Sequence, residues 1–319
     1  MLYAEISSDV RGGSMVIYSI KRVASAFVTL FAVATLTFFL MYLVPGGPFL
    51  AEKAPSAQTL KALEQKYGLD QPVTVQYVNF MKRLLVGDLG TSLKMRGQEI
   101  NDIIFNRFPI SARIGALAVL VAICIGIPLG SVAALNRGKL LDNVIMFIAT
   151  LGIAVPGFVV ATVLMFTFGV KLHILPTYGL TSPLHYILPV SALAFYPTAY
   201  ISRLMRSSML DVLGQDYMRT ARAKGISQFK SLFKHALRNA VLPVVTYLGP
   251  MLAYILTGSF VVEKIFTIPG LGSQFISSIT DRDYPLIMGT TIFLAFLLIT
   301  MNVIVDIAYK IIDPRIKLK

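Results

Sequence analysis

Apolar and polar positions in this chain segregate into long blocks rather than alternating. Six stretches contain no Asp, Glu, Lys or Arg: residues 23–44, 114–135, 143–170, 186–202, 240–262 and 284–305. Their lengths are 22, 22, 28, 17, 23 and 22 residues. About 20 apolar residues are needed to cross the hydrocarbon core of a bilayer. Inside that core the backbone finds no water, so a segment this long must be helical. The 28-residue run can tilt or carry an end into the headgroups. The 17-residue run can extend into Arg203 or back to Leu184, because long and polar end groups snorkel. Buried helices of a large soluble core would show shorter runs and a charged face. The pattern therefore predicts six spanning helices. Pro128, Pro156-Gly157, Pro197, Gly249-Pro250 and Gly258 fall inside the runs and predict kinks. No run holds a charge, which argues against a proton relay or a charge-coordinated ion path. Polar lining is left to Ser, Thr, Tyr, Asn302 and the backbone.

Between the first two runs, Pro45-Gly46-Gly47-Pro48 stops a helix. Gln58–Tyr67 reads as a short helix with Leu60, Leu63 and Tyr67 on one side and Gly68 as its end. After Pro72, the residues Val73, Tyr77, Phe80/Met81 and Leu84 recur at helical spacing. Gly87-Asp88-Leu89-Gly90 reads as a turn, and Ile100, Ile103, Ile104 and Phe108 as an apolar stripe reaching Pro109. Such stripes suit helices that lie on the membrane surface or pack on the ends of the bundle.

Charge supplies the orientation. The chain carries 29 Lys+Arg against 16 Asp+Glu, a net +13, with only 14% charged residues and a mean hydropathy of +0.71. With the N-terminus inside, residues 1–22, 136–142, 203–239 and 306–319 hold 17 of the cations. The short outer loops 171–185 and 263–283 hold 3. The outer stretch 45–113 holds 9, but its length removes it from the positive-inside rule. Both termini are expected to be cytoplasmic. The basic balance is then a consequence of topology, and no nucleic-acid partner is expected. Residues 1–14 are polar, precede a second methionine at Met15, and read as an N-terminal extension outside the fold.

Catalytic chemistry is sparse. The single Cys124 rules out a disulfide framework and cysteine-rich metal sites, and His173, His185 and His235 have no ligand spacing. Gly138-Lys139 lacks the upstream glycine and the hydroxyl of a phosphate-binding loop. Neither a metal nor a cofactor site is expected in this chain.

The most informative segment is the inner loop 203–239, with a net charge of +6. It reads as two amphipathic helices, about 206–223 and 228–240, separated by Gly225 in the left-handed conformation. Ser227 is placed to cap the second. A polar helix–turn–helix below a membrane body suits docking to a partner; a basic loop resting on anionic lipid is the plainer alternative.

Here the residues carry a resemblance. Asp216-Tyr217-Met218-Arg219-Thr220-Ala221-Arg222-Ala223-Lys224-Gly225, followed by Asn239-Ala240-Val241-Leu242-Pro243, resembles the "EAA" loop of binding-protein-dependent ABC importer permeases. Arg219-Thr220-Ala221 stand where Glu-Ala-Ala is general, the form of the dipeptide/oligopeptide/nickel branch. Leu43–Phe49, Tyr67–Pro72, Gly87–Gly90, Thr257–Glu263, Ile268-Pro269-Gly270-Leu271-Gly272, Arg282-Asp283-Tyr284 and Ile312-Asp313-Pro314-Arg315 are similar to that branch in order and spacing. The pieces at 45–49 and 312–316 tilt the match toward the B-type transmembrane subunit of oligopeptide permeases.

The resemblance implies an all-α integral membrane fold of six transmembrane helices, the type I ABC importer (MetI-like) permease bundle, in a bacterial inner or plasma membrane. Its parts would be a first helix over 15–44, an extracellular segment over 45–110, a five-helix core over 111–310 and a cytoplasmic tail over 311–319. The implied partners are a homologous C-type permease, two cytoplasmic ATPase subunits that bind ATP and Mg, an extracellular solute-binding protein, membrane lipid and a peptide substrate. Coupling to the ATPases would fall to Asp216, Arg219, Thr220, Ala221, Arg222, Lys224 and Gly225. Asp281, Arg282 and Asp283 are candidates for the binding-protein dock. Pore contacts are expected from backbone and small polar groups. Dipeptide, glutathione or nickel import are alternatives within the branch. A stand-alone channel, a secondary transporter and a membrane scaffold or receptor are more remote, and uncharged spans offer a secondary transporter no coupling-ion site. The missing phosphate loop sets a first expectation: the purified chain alone releases no phosphate from ATP, and measurable hydrolysis by it would refute the reading.

Overall fold

The computed structural model describes residues 2–43, 49, 56–95, 97–227 and 231–312; side chains at 2–19, 57, 63, 221, 222, 233–235, 256–258 and 305–312 lie outside the described set. The resembling pieces at 44–48 and 313–316 also fall outside it. The described residues are helical apart from turns and one isolated bridge, Thr91 to Glu99. The helices are α1 (Leu2–Leu43), α2 (Ala57–Tyr67), α3 (Val73–Leu85), α4 (Ile100–Leu135), α5 (Leu140–Ala154), α6 (Gly157–Leu164), α7 (Ile187–Leu213), α8 (Asp216–Ala223), α9 (Leu237–Ala240), α10 (Leu242–Ile265), α11 (Leu271–Thr280) and α12 (Tyr284–Ile312). A π-helical turn, Met165–Lys171, continues α6, and another, Ser231–Ala236, leads into α9.

The described residues of all six charge-free runs are helical apart from Val155, Pro156 and Val241, but the helices are not six straight rods. Three are long and apolar enough to cross a membrane, and five spans result if each of two bent pairs counts as one, among the described residues. The third run breaks by 106° between α5 and α6, where a tilted 28-residue span was expected. Val155 is extended at φ −84°, ψ 125°, the region that a following proline imposes, and Pro156 then starts the next helix. The second bend, 47°, lies at residues 256–258 of α10. The fourth run sits in α7, whose prolines and tyrosines leave it short of the same hydropathy measure. Thirteen of its residues are buried, so protein rather than lipid solvates much of it.

Two further expectations are corrected. The stripe at 100–108 does not end at Pro109: α4 runs unbroken to Leu135 with Pro109 and Pro128 inside it. A membrane helix tolerates proline because neighbouring groups re-satisfy the freed carbonyl. The expected helix 206–223 is divided, since α7 continues to Leu213 and α8 begins only at Asp216 after Gly214. Residues 2–14, read as an extension, are helical and run on into α1, which does not decide that reading.

The chain divides into two compact units, 1–107 with 274–319, and 108–273. In the first, α1 packs along α12. The stripe of α3 joins them: Phe80 is buried with Ala34, Phe38 and Ile292, and Tyr77 stacks on Phe39 at 5.4 Å. Thr35 and Tyr77 share a hydrogen bond of 2.9 Å. Helix α2 begins at Ser56, whose Oγ accepts from Thr59 N at 3.3 Å, and ends at Gly68 with φ +67°. The α2 and α3 expectations are thus met within a residue or two.

In the second unit α7 is central, packing on α5, α6, α9 and α10. It comes so close to α4 and α5 that only glycine fits opposite it. A Cβ at Gly130 would lie 2.4 Å from the Ser202 carbonyl oxygen, one at Gly126 2.8 Å from Ile201 Cγ2, and one at Gly152 2.6 Å from Ala199 Cβ. Small residues four apart let membrane helices approach at the backbone. Ser202 Oγ donates across the gap to the Gly126 carbonyl at 3.3 Å. Gly130→Val should therefore abolish the folded protein in mild detergent, followed by size-exclusion profile and melting. Gly157→Ala, whose Cβ meets nothing within 4 Å, should melt as the unmodified chain does.

Candidate functional site

The candidate coupling segment hangs from the end of α7, and the pair that fixes this end was not foreseen. Asp142, 1% exposed, opens α5 and takes a two-pronged contact from Arg206 of α7: Nε to Oδ1 at 2.5 Å and Nη2 to Oδ2 at 2.7 Å. Gly138 N, in a left-handed turn, also donates to Oδ2 at 2.9 Å. A bidentate guanidinium–carboxylate pair fixes angle as well as distance. In the sequence Arg206 is one of eight loop cations; folded, it belongs to the body of the unit.

Below it, α8 is held by one side and open on the other. Met218 is buried at 1% against a cluster that includes Met205, Met209, Ala236 and Ala240. Asn239 Nδ2 donates to the Tyr217 hydroxyl at 2.9 Å, tying the two resembling segments 216–225 and 239–243 together. On the open side Asp216, Arg219, Thr220, Lys224 and Gly225 are exposed. Asp216 and Arg219 form a loose surface pair at 3.7 Å, which contributes little to stability. Ala221 and Arg222 belong to α8 by backbone, but their side chains lie outside the described residues. The helix ends as expected: Gly225 takes φ +73°, and a Cβ there meets nothing within 4 Å. The tip is conformationally demanding and sterically free. The second expected helix, 228–240, is a π-helical turn over Ser231–Ala236 followed by α9, with 228–230 outside the described residues.

The other candidate trio does not act as one exposed group. Asp281 is exposed and Arg282 partly so, with φ +56°. Asp283 is 1% exposed. It accepts a very short hydrogen bond from Ser92 Oγ, takes Leu93 N at 3.1 Å and Lys94 N at 3.3 Å, and caps α12 through Leu286 N at 3.4 Å. A carboxylate so engaged is a structural tie, so Asp283 is withdrawn from the candidate dock. An acid between two runs reads as surface in the sequence; only the fold shows that it faces donors 190 residues away.

A third buried carboxylate was missed. Glu263, at the end of the fifth run, is 0% exposed. Ser259 Oγ donates to Oε1 at 2.8 Å, and Ser273 N to Oε2 at 3.0 Å. Leu271 N donates to Ser111 Oγ beside it at 2.9 Å. A Cβ at Gly270 would lie 2.3 Å from Glu263 Oε2, and one at Gly272 2.4 Å from Phe260 Cδ1. The Ile268-Pro269-Gly270-Leu271-Gly272 and Ser259–Glu263 motifs are thus two halves of one turn wrapped around a carboxylate. Among the described residues no group of three or more His, Cys, Asp or Glu could hold a metal.

Comparisons with known proteins place the chain in a family. Residues 126–318 match the model of the family "Binding-protein-dependent transport system inner membrane component", and residues 15–115 match its N-terminal companion, "Binding-prot-dependent transport system membrane comp, N-term". A "Dipeptide transport system permease protein DppB" of Bacillus subtilis is 49% identical over 301 residues, covering 94% of this chain and 98% of the relative. An "Oligopeptide transport system permease protein OppB" of Haemophilus influenzae is 42% identical over 305 residues, covering 95% and 100%, and that of Escherichia coli K12 is 39% identical with the same coverage. Among solved structures, an amino acid ABC transporter chain superposes with TM-score 0.52 at 17% identity, over 66% of this chain and 94% of its own. The inward-facing MetNI methionine ABC transporter gives 0.52 at 15%, over 66% and 96%. Both show the fold.

The contrast between two neighbouring aspartates is measurable. Asp283→Ala strips the acceptor from buried donors and should cost about 1–3 kcal/mol of stability in detergent. Asp281→Ala should stay within about 0.5 kcal/mol of the parent. Equal melting shifts for the two would contradict the assignment of Asp283 as a tie.

Proposed function

The chain belongs to the binding-protein-dependent transport system inner membrane component family, and from that premise we infer that it is the B-type permease of an ATP-driven peptide importer. It is a multi-pass membrane permease subunit; the proposal adds its cargo, its partners and its orientation. The relatives' names, dipeptide and oligopeptide permease, favour peptides as cargo; the choice of length would rest with a separate binding protein. The 49% identity to the dipeptide permease supports short peptides within that range.

The observation that carries the coupling role is the geometry of α8. It is fastened by Met218 and by the Tyr217–Asn239 bond, while its far side and its left-handed end at Gly225 stand exposed. A short, abruptly ended helix is the shape that enters a groove of a second protein, here a cytoplasmic ATPase that holds ATP and Mg. Arg219, Thr220 and Lys224 would meet acidic side chains or carbonyls there, with Ala221 and Arg222 on the same short helix. A homologous C-type permease completes the pathway, and this chain has no hydrolytic role. Both termini are cytoplasmic, so residues 45–110 and 263–283 face outward. There the exposed Asp281 and its neighbour Arg282 are the remaining candidates for contact with the binding protein.

Gly225→Val tests the coupling role. A β-branched residue in a left-handed position costs on the order of 1–2 kcal/mol, and the open space around Gly225 limits the damage to the tip. Peptide import by the reconstituted complex should fall and ATPase subunits should dissociate, while membrane insertion and pairing with the second permease persist. Import at the unmodified rate would refute the coupling role. A change in lipid binding alone would return the segment to a basic surface loop.

A further inference from the structure

Four tyrosines form a continuous ladder on one side of the second unit. Tyr196 and Tyr200 lie four residues apart on α7, and Tyr247 and Tyr254 seven apart on α10, so each pair shares a helix face. Tyr200 stacks on Tyr247 with ring centroids 4.2 Å apart, Tyr196 meets Tyr254 at 5.2 Å, and Tyr196 and Tyr200 lie 6.3 Å apart. The rings are not sealed in the core: Tyr200 is 36% and Tyr254 43% exposed, and Tyr196 and Tyr247 are half-buried.

Their depth is the unusual feature. Tyrosine normally collects at the two edges of a membrane protein, where its hydroxyl reaches the headgroups. Here Tyr247 stands five residues and Tyr254 twelve residues into α10, about 8 and 18 Å along a helix of roughly 36 Å. On α7, Tyr196 stands six residues and Tyr200 two residues before the end of the fourth charge-free run, so the ladder reaches from the inner edge of the span toward its middle, with Tyr196 and Tyr254 the deeper pair. Hydrocarbon offers a phenol hydroxyl no partner, and leaving it unmet is costly. Within the described residues the hydroxyls of Tyr196, Tyr200 and Tyr247 make no hydrogen bond. Lipid is thus a poor neighbour for this face.

A packed helix is a poor neighbour as well. Where this protein brings helices together closely it uses Gly126, Gly130 and Gly152, as membrane helices generally do. The ladder joins α7 to α10 through its rings, and toward anything beyond them it presents the exposed edges of bulky side chains where a close backbone approach is blocked. What remains is a hydrated path and the solute moving through it. A phenol suits a cargo of variable character: its hydroxyl both donates and accepts to peptide amides, its ring covers apolar side chains, and its face attracts cations.

We propose that Tyr196, Tyr200, Tyr247 and Tyr254 form a peptide-contact subsite lining the translocation path. This rests on the peptide-importer reading above, and it replaces the expectation that pore contacts come from backbone and small polar groups alone. The ladder does not select one peptide. It provides each passing residue with an aromatic surface and a hydrogen-bonding group while no charge holds it back.

The test uses the assembled transporter with its ATPases and binding protein. A photoreactive benzoyl-phenylalanine replaces Tyr200 or Tyr254 in turn, and Phe147, 64% exposed on α5, serves as an exposed aromatic control outside the ladder. Illumination during ATP-driven uptake of tritiated di-, tri- and penta-alanine should give labelled peptide adducts at 200 and 254 and none at 147. Adducts only to phospholipid, or only to another polypeptide, would overturn the subsite. The Tyr200→Phe/Tyr247→Phe pair keeps the rings and packing but removes two hydroxyls. It should lower import about threefold or more at unchanged complex assembly, the range of one net hydrogen bond. An unaltered import rate would overturn the proposal. If the unmodified complex imports none of the three peptides, the peptide reading itself fails. Import by the unmodified complex without adducts at the ladder would count against the subsite alone.

Discussion

The second unit is organised by the closeness of α7 to its neighbours. At Gly126, Gly130 and Gly152 there is no room for a single extra carbon. In a bilayer this matters more than in water, because lipid tails are as apolar as side chains and give helices no hydrophobic reason to associate. Dispersion at contact distance and a few cross-helix hydrogen bonds must hold them. The closeness sets which residues of α7 are shielded and which face is left open. Its buried face reads Ile201, Met205 and Met209; the tyrosines fall on the other side by helical geometry.

Charge is handled by the same economy of space. Three carboxylates, Asp142, Glu263 and Asp283, sit at the borders of charge-free runs, and each is at most 1% exposed. None is left unpaired: one takes a guanidinium, one a set of hydroxyls and amides, and one the amides of a turn and a helix start. Buried carboxylates would be prohibitive without such donors. They fix where helices begin and end. A span edge defined by hydropathy alone is blurred by a residue or two, whereas one defined by a satisfied carboxylate is not.

This explains what could be read in the amino-acid order and what could not. The runs were legible because absence of charge over 17 to 28 residues has few structural solutions. The short helices α2 and α3 were legible from apolar spacing and from Gly68. The left-handed end at Gly225 was legible because a glycine interrupts an otherwise helical pattern. The 106° break at Val155-Pro156 was not, since hydropathy measures burial and is blind to direction; the proline marked the place but not the angle. The division of the inner loop at Gly214 and the continuation of α4 through Pro109 failed for a related reason. Neighbouring helices decided whether a weak breaker broke. Arg206 was missed and Asp283 misread because their partners lie 64 and 190 residues away. Glu263, whose donors Ser259 and Ser273 are near in sequence, was missed because a charge at the border of a run reads as exposed, and Met218 because one methionine in a polar segment does not stand out.

Helix α7 carries both proposed sites on one continuous helix. Its 27 residues extend roughly 40 Å. The candidate coupling segment follows its last turn, and Tyr196 and Tyr200 project from its flank about 20 Å higher. The Arg206–Asp142 pair lies between them, nearer the lower end. The same flank is locked above the ion pair, where Ala199 meets Gly152 of α5 and Ser202 meets Gly130 of α4. Fastened at both levels, α7 has no clearance to pivot on its neighbours. A load applied at the end that bears α8 is carried into α4 and α5 as well, so the three helices answer it as one block and the rings travel with that block.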